Sequence, residues 1–273
     1  MSRGPLHALP PVFHEKIWGS EQTAPWFPSA IKKVGEVWFQ SPEVALPLLV
    51  KFIFTSERLS VQVHPDDAYA QAVEGSPGKT EMWHILRAEP GAAVAVGLKS
   101  AVSREELRQS ALSGEIEHRL RWIAVHPGDS ILVPAGTVHA IGGGLALCEI
   151  QEVSDVTYRL YDYGRPRELH LEKALQVAFP GPHPGLSAPE ILSPTEARLA
   201  ACSHFVTDRI AVDAPDALPL HPERAQIWVA LEGCGQVGDL AFRPGSAWLT
   251  DPGAGALLVV PDGSCRLLRT RLP

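Results

Sequence analysis

The chain has 273 residues, 45% of them hydrophobic and 20% charged, enough for two packed domains or one large one. A formal net charge of −7 argues against a nucleic-acid partner, because phosphate backbones call for a broad basic surface. No apolar run approaches the roughly 20 residues of a membrane span, and Met1 to Pro10 lacks the basic start and apolar centre of a signal peptide, so the expected location is the cytoplasm.

The 23 glycines and 25 prolines, with short apolar runs, favour many strands and turns over long helices. Cys148, Cys202, Cys234 and Cys265 form no C-x-x-C pair, so we expect reduced, mostly buried thiols without a disulfide or cysteine zinc site. A small anionic substrate stays compatible with the acidic total if a few cations are focused in one pocket.

Residues 1–30 are rich in Pro and aromatics and show no clear period. Gly35 to Phe39 reads as a short strand, and Leu48 to Phe54 as a stronger one interrupted by Lys51. Leu59-Ser60-Val61-Gln62-Val63-His64 alternates and should end at Pro65, which has no N–H for a ladder. Asp66 and Asp67 suit the start of a short helix through Ala72. Strands are expected at Glu81 to Leu86 and Ala93 to Leu98. Ser103-Arg104-Glu105-Glu106 is a capping-box pattern that opens a helix, with Gly114 separating a second helix to about Trp122. Further strands are expected at Ser130 to Val133, Ala146 to Glu152 and Thr157 to Tyr161, then a helix over Leu169 to Phe179. Pro180 to Gly185 is the best linker in the chain. Strands resume at Phe205 to Ile210, Gln226 to Leu231, Ser246 to Thr250, Ala256 to Val260 and Cys265 to Arg269. Arg243-Pro244-Gly245-Ser246 echoes His126-Pro127-Gly128-Asp129, a short hint of a repeated unit whose second copy has no His-x-His or late His.

Side chains alternate across a strand, so Ser60, Gln62 and His64 share one face while Leu59, Val61 and Val63 share the other, which reads as core. Polar groups on a strand otherwise built for burial need partners. The expected partner is a divalent metal, with Glu81 and His139 closing the site. Imidazole and carboxylate suit Zn²⁺, and an amide oxygen from Gln62 can add a weaker ligand. Taken singly, His64 and His139 are ordinary polar residues near turns; the set, each member in a strand-and-turn context, is what points to a metal.

Gly128-x5-Pro134-x-Gly136-x2-His139 matches the second motif of the cupin family. The first cupin motif normally carries His-x-His and an early Glu; here Gln62 stands in place of the first His, and Glu81 follows an inserted loop. That departure resembles the type I phosphomannose isomerases (mannose-6-phosphate isomerases) in their short bacterial form. Leu59 to Asp67, Gly78 to Trp83, Pro134 to Gly142, Tyr158 to Gly164, Glu15 to Gly19 and Gly35 to Trp38 all look like that family. The likeness runs from about residue 10 to about 180, and the C-terminal part is similar only loosely.

The resemblance implies a mainly β fold of two cupin barrels with a helical insertion at about 103–122: a metal-binding domain over 1–180, a linker over 181–195 and a metal-free domain over 196–273. It implies one zinc ion per chain on Gln62, His64, Glu81 and His139, with Arg159 catalytic. It implicates Ser60, Lys51, Lys79 and Glu149 in phosphate binding or proton transfer, and the reaction interconverts mannose 6-phosphate and fructose 6-phosphate. Lys51 and Ser60, expected on adjacent strands, are the phosphate candidates; Glu149 and Lys79 both remain open as the proton carrier. Alternatives are an Fe²⁺-dependent cupin dioxygenase and a non-enzymatic sugar-binding cupin. The remaining histidines, His84, His170 and His204 among them, read as structural or solvent-facing. The sequence carries no signal for oligomeric state, and a monomer suffices for these features.

Overall fold

A computed structural model of the chain describes residues 6–28, 32–41, 43–253 and 255–273. Four antiparallel sheets account for most of its regular secondary structure. A six-stranded sheet runs, in spatial order, through Pro11–Ser20, Val34–Phe39, Leu49–Thr55, Leu145–Gln151, Glu81–Ala88 and Ser130–Val133. A five-stranded sheet runs through Tyr158–Tyr161, Val61–Val63, His139–Ile141, Ala93–Leu98 and Leu120–Ala124. A seven-stranded sheet is built from segments between Glu190 and Arg271 with Leu6–Leu9 at one edge, where that strand pairs with Ala247–Thr250. Asp216–Pro219, Ala256–Pro261, Gly235–Val237 and Leu240–Phe242 form the fourth sheet.

The two central strands of the six-stranded sheet show why it forms. Every residue of Leu49–Thr55 and Leu145–Gln151 is buried. Alternation sends Val50, Phe52, Phe54, Ala146, Cys148 and Ile150 to one face, against Leu199, Phe205, Ile227, Val229 and Leu268 of the seven-stranded sheet. It sends Ile53, Leu145 and Leu147 to the other face, against Val94, Val96 and Ile141 of the five-stranded sheet. Full burial of each such side chain contributes roughly 1.5–3 kcal/mol. The same alternation places Lys51 and Glu149 on the second face, as a directly opposed pair. That position explains a lysine inside an apolar run.

The outer face of the five-stranded sheet is covered by helices. Leu107 and Ala111 of α2 (Arg104–Ser113), Ile116 of α3 (Ile116–Arg119) and Leu175 of α4 (Leu171–Val177) pack on Val61, Val63 and Leu160. Helix α1 (Asp67–Glu74) is capped by Asp66, whose carboxylate accepts the Tyr69 amide at 2.8 Å. The expected capping box is present: Ser103 N donates to Glu106 Oε2 at 2.7 Å, and Glu106 N to Ser103 Oγ at 3.2 Å.

Several expectations are corrected. Residues 1–30 contain the strands Leu6–Leu9 and Pro11–Ser20; Pro11 sits in an edge strand, where a missing N–H costs no ladder bond. The second helix stops at Arg119, and Trp122 lies on a strand opposite Ala95. Leu59 belongs to the core between the two sheets, whereas Val61 and Val63 face the helices, because the strand spans only Val61–Val63. Lys51 and Ser60 come from opposing sheets, not adjacent strands.

Candidate metal centre and cleft

Two rows of side chains face each other between the six- and five-stranded sheets. In one, Gln62 is flanked by His139 on one neighbouring strand and Arg159 on the other. In the other, Glu149 is flanked by Lys51 and Trp83, and Trp38 stands opposite Lys51. Residues directly opposed across antiparallel strands share a face, so register alone collects these groups.

His64, Glu81 and His139 are fully buried, and their ligand atoms lie within 4.8 Å of one another. Glu81 reaches from the six-stranded sheet to both imidazoles: Oε2 is 3.5 Å from His64 Nε2, and Oε1 is 3.5 Å from His139 Nε2. Each ring is oriented by its other nitrogen. His64 Nδ1 lies 2.8 Å from the Val156 carbonyl and His139 Nδ1 2.8 Å from the Thr137 carbonyl, which assigns the proton to Nδ1 and leaves the Nε2 lone pair turned inward. Burial, then the Lys79 charge, pushes His64 well below its ordinary pKa; burial brings His139 down to about 4. Both are neutral at physiological pH, the form that ligates a metal. Glu81 Oε1 is buried with no hydrogen-bond partner. An orphaned carboxylate oxygen between two inward-facing imidazoles fits a divalent cation, because such an oxygen is otherwise costly to bury.

Local turns set this geometry. The His64 carbonyl accepts the amide of Gly136 at 2.8 Å, and Gly136 has φ 83°, so the Pro134-Ala135-Gly136 turn ties one imidazole-bearing segment to the other. A Cβ on Gly78 would stand 2.5 Å from Asp67 N, so only glycine lets the loop before Glu81 pack on the start of α1.

Lys79 Nζ is 2.6 Å from Glu81 Oε2 and 3.1 Å from His64 Nε2. Burial alone would lower its pKa, but the Glu149 and Glu81 charges outweigh burial and raise it. Burial, then the Glu81 charge, raises the Glu149 carboxyl, against Lys79 and Lys51. Glu149 Oε1 accepts from Trp83 Nε1 at 3.1 Å, and Lys51 Nζ is 3.6 Å from its Oε2. Lys51 also lies 3.4 Å from Asp155 and 4.2 Å from the Trp38 ring centroid. Gln62 Nε2 is 3.2 Å from His139 Nε2, while Gln62 Oε1 accepts from Ser60 Oγ at 3.2 Å.

A polar cleft of about 280 Å³ opens over this group. Ser60, Gln62, Lys51, Lys79, Glu149 and Arg159, all named from sequence, line it. Sequence reasoning missed Lys16, Glu36, Asp155, Arg167 and His170, which line it too. Arg167 and His170 follow the Tyr158 to Gly164 stretch closely in sequence, the only signal that pointed to them. Lys16 is paired with Glu36 at 3.4 Å, and Arg167 forks onto Asp162 at 2.6 and 2.7 Å. Among the described residues Arg159 has no carboxylate ion pair; its Nη1 donates to the Glu168 carbonyl at 3.4 Å and its Nε is buried without a partner. The other lining cations, Lys16, Lys51, Lys79 and Arg167, each have a carboxylate within 4.0 Å. A larger groove of about 480 Å³ near Trp38 is lined mostly by apolar residues, with Asp155 its one ionisable group, and suits a charged ligand poorly.

Curated relatives share this chain's sequence. Mannose-6-phosphate isomerase of Streptococcus mutans is 44% identical over 58% of this chain and 51% of its own length. GmuF of Bacillus subtilis, named a probable mannose-6-phosphate isomerase, is 37% identical over 62% of this chain and 67% of its own length. The chain belongs to the mannose-6-phosphate isomerase family. No family model matches it. The chain spans about half the length of the Streptococcus relative and about two thirds of the Bacillus one. The crystal structure of the mannose 6-phosphate isomerase from Bacillus subtilis superposes with a TM-score of 0.86 at 28% identity, covering 98% of this chain and 99% of that one. A mutant form of phosphomannose isomerase from Salmonella typhimurium shares the fold, with a TM-score of 0.76 at 15% identity over 97% and 99% of the two chains. The mainly β architecture is thus that of solved mannose-6-phosphate isomerases along almost its whole length.

Proposed function

We propose that the protein is a zinc-dependent isomerase interconverting mannose 6-phosphate and fructose 6-phosphate through an enediol. The observation that carries this reading is the His64–Glu81–His139 group, with its orphaned carboxylate oxygen, beneath a cation-lined cleft in a chain of this family. Gln62 is the fourth ligand once its amide turns Oε1 inward; amide orientation is assigned from hydrogen bonding, so both orientations are compatible with its position. When bound, zinc supplies Lewis acidity towards the sugar oxygen that becomes negatively charged.

The chain's own residues do the rest. Arg159, without a carboxylate partner, stabilises the charge that develops on the enediolate. Glu149 and Lys79 both line the cleft: burial and the Glu81 charge raise the Glu149 carboxyl, the Glu149 and Glu81 charges, against burial, raise Lys79, and this pair is placed to carry the proton between C1 and C2. Ser60 and Lys51, on facing walls, take the phosphate through charge-assisted hydrogen bonds. The cations Lys16, Lys51, Lys79, Arg159 and Arg167 around one cleft favour a phosphorylated ligand over a dioxygenase substrate or a neutral sugar.

We also read the four sheets as two cupin-like domains, about 1–180 and 196–273, with Leu6–Leu9 crossing over to edge the second domain's sheet. The two Pro-Gly turns support this. Gly128 N donates to the Ile85 carbonyl at 2.8 Å, and Gly245 N to the Ala230 carbonyl at 2.9 Å, each turn docking on a preceding strand in the same way. Four free thiols fit a reducing cytoplasm, and among the described residues no helix is long and apolar enough to cross a membrane.

Two variants test the site. His139→Ala should lose bound zinc by metal analysis. Arg159→Ala should keep it while turnover of mannose 6-phosphate falls by about 10²–10³. Full activity in the Arg159 variant would remove that residue from the mechanism.

A further inference from the structure

The loop that carries Lys79 into Glu81 is held by two carboxylates. Asp67 Oδ1 accepts from Gly78 N at 2.8 Å, and Glu152 Oε2 accepts from Thr80 N at 2.6 Å. Glu152 N returns a bond to the Thr80 carbonyl at 3.3 Å, and Thr80 Oγ1 accepts from Ala135 N at 3.4 Å. Thr80 is therefore fixed both to the end of the six-stranded sheet and to the turn that leads to His139. Each carboxylate has one oxygen left, and both turn it to a single imidazole. His204 Nδ1 is 3.1 Å from Glu152 Oε1 and 3.8 Å from Asp67 Oδ2.

His204 does not come from the sheets that hold the candidate metal site. It lies between Glu196–Ala201 and Val206–Val212 of the seven-stranded sheet. Two neighbouring carboxylates repel each other, and an imidazole standing between them, within ion-pair reach of both, offsets the repulsion. Glu152 is 8% exposed while the Asp67 side chain is 57% exposed, so water screens the Glu152 arm of this contact little and the Asp67 arm substantially.

We propose that His204 is a positioning residue: it holds Asp67 and Glu152 together, and through them fixes Gly78 to Glu81 so that the Glu81 carboxylate stays aimed between His64 and His139. The C-terminal part of the chain then shapes the metal centre without supplying a ligand. This rests on the metal-site reading above, and supporting groups around ligands typically change metal affinity 10–100-fold.

The test uses the full chain and two readouts: hydrogen–deuterium exchange of the 76–81 segment in metal-free protein, and the rate of zinc release to a chelator. His204→Ala should speed exchange in that segment and accelerate zinc release about 10–100-fold. His204→Asn, whose amide N–H stands where Nδ1 stood, should restore both towards wild type. His204→Phe, which keeps the ring but no polar atom, makes the same comparison should the alanine variant fail to fold. Trp26→Phe is the control. It removes a bond to the Leu231 carbonyl (2.9 Å) away from the loop, and should lower the thermal midpoint without changing either readout. Unchanged exchange and release in His204→Ala, or an equal change in Trp26→Phe, overturns the proposal. Wild-type protein that binds no zinc would defeat the metal reading, while exchange in the metal-free variants would still decide whether His204 holds the loop.

Discussion

Glu149 illustrates how single residues make the cleft. A buried carboxylate is costly unless its oxygens are occupied, and here Trp83 Nε1 takes Oε1 while Lys51 stands by Oε2. Trp83→Phe keeps the ring and removes the donor. It should cost about 1–3 kcal/mol, because a buried acceptor is left unsatisfied; denaturant unfolding measures this, and a loss under a few tenths of that range would show the bond to be dispensable. The pairing of Lys51 with Glu149 was half legible in the sequence. A lysine in Leu48 to Phe54 and a glutamate in Leu145 to Ile150 each signalled a polar position in an apolar strand, but only strand order and register bring them opposite each other. His170 and His204 show the opposite case. Neither lies in a spacing pattern: His170 accepts from the amide of nearby Arg159, the neighbours of His204, Asp67 and Glu152, come from far along the chain, and residue-by-residue reading left both histidines structural.

At the scale of elements, what was readable was what local chemistry encodes. The capping box at Ser103, the Pro-Gly turns and the strand stop at Pro65 were all visible, because each depends on a few adjacent residues. Edge and short strands such as Leu6–Leu9 and Gly235–Val237 were missed, because their pairing partners, not their own periodicity, make them strands. The loop from Ser76 to Thr80 is the element on which the candidate site turns. Gly78→Ala would drive a Cβ into the backbone of Asp66 and Asp67, at 2.5–2.6 Å, and displace the loop. Zinc affinity should fall by tenfold or more, read by competition with a chromophoric chelator; wild-type affinity would show that the loop has room to adjust. Ser103→Ala, at the start of α2, should cost about 1 kcal/mol of stability and leave zinc affinity untouched, since that helix packs on the far face of the five-stranded sheet.

Across the whole molecule, the six-stranded sheet is the shared wall: one face completes the cleft and the other packs against the seven-stranded sheet. His84 lies on this sheet, buried beside Ser130 Oγ at 2.9 Å, and burial, then the Arg209 charge, brings its pKa from 6.5 down to about 4. The native state therefore refuses a proton that the unfolded chain accepts. This contribution is complete above pH 6.5 and shrinks as pH falls towards 4, by up to about 3 kcal/mol. His84→Gln should flatten the stability profile across that window, and an unchanged slope would assign the acid sensitivity elsewhere. The central claim concerns the metal and the sugar phosphate together. Purified protein, assayed with mannose 6-phosphate by coupling fructose 6-phosphate formation to a reporter enzyme, should isomerise it, lose that activity on chelation and regain it on adding zinc. Undiminished turnover in metal-free protein, or none in zinc-loaded protein, would contradict the account.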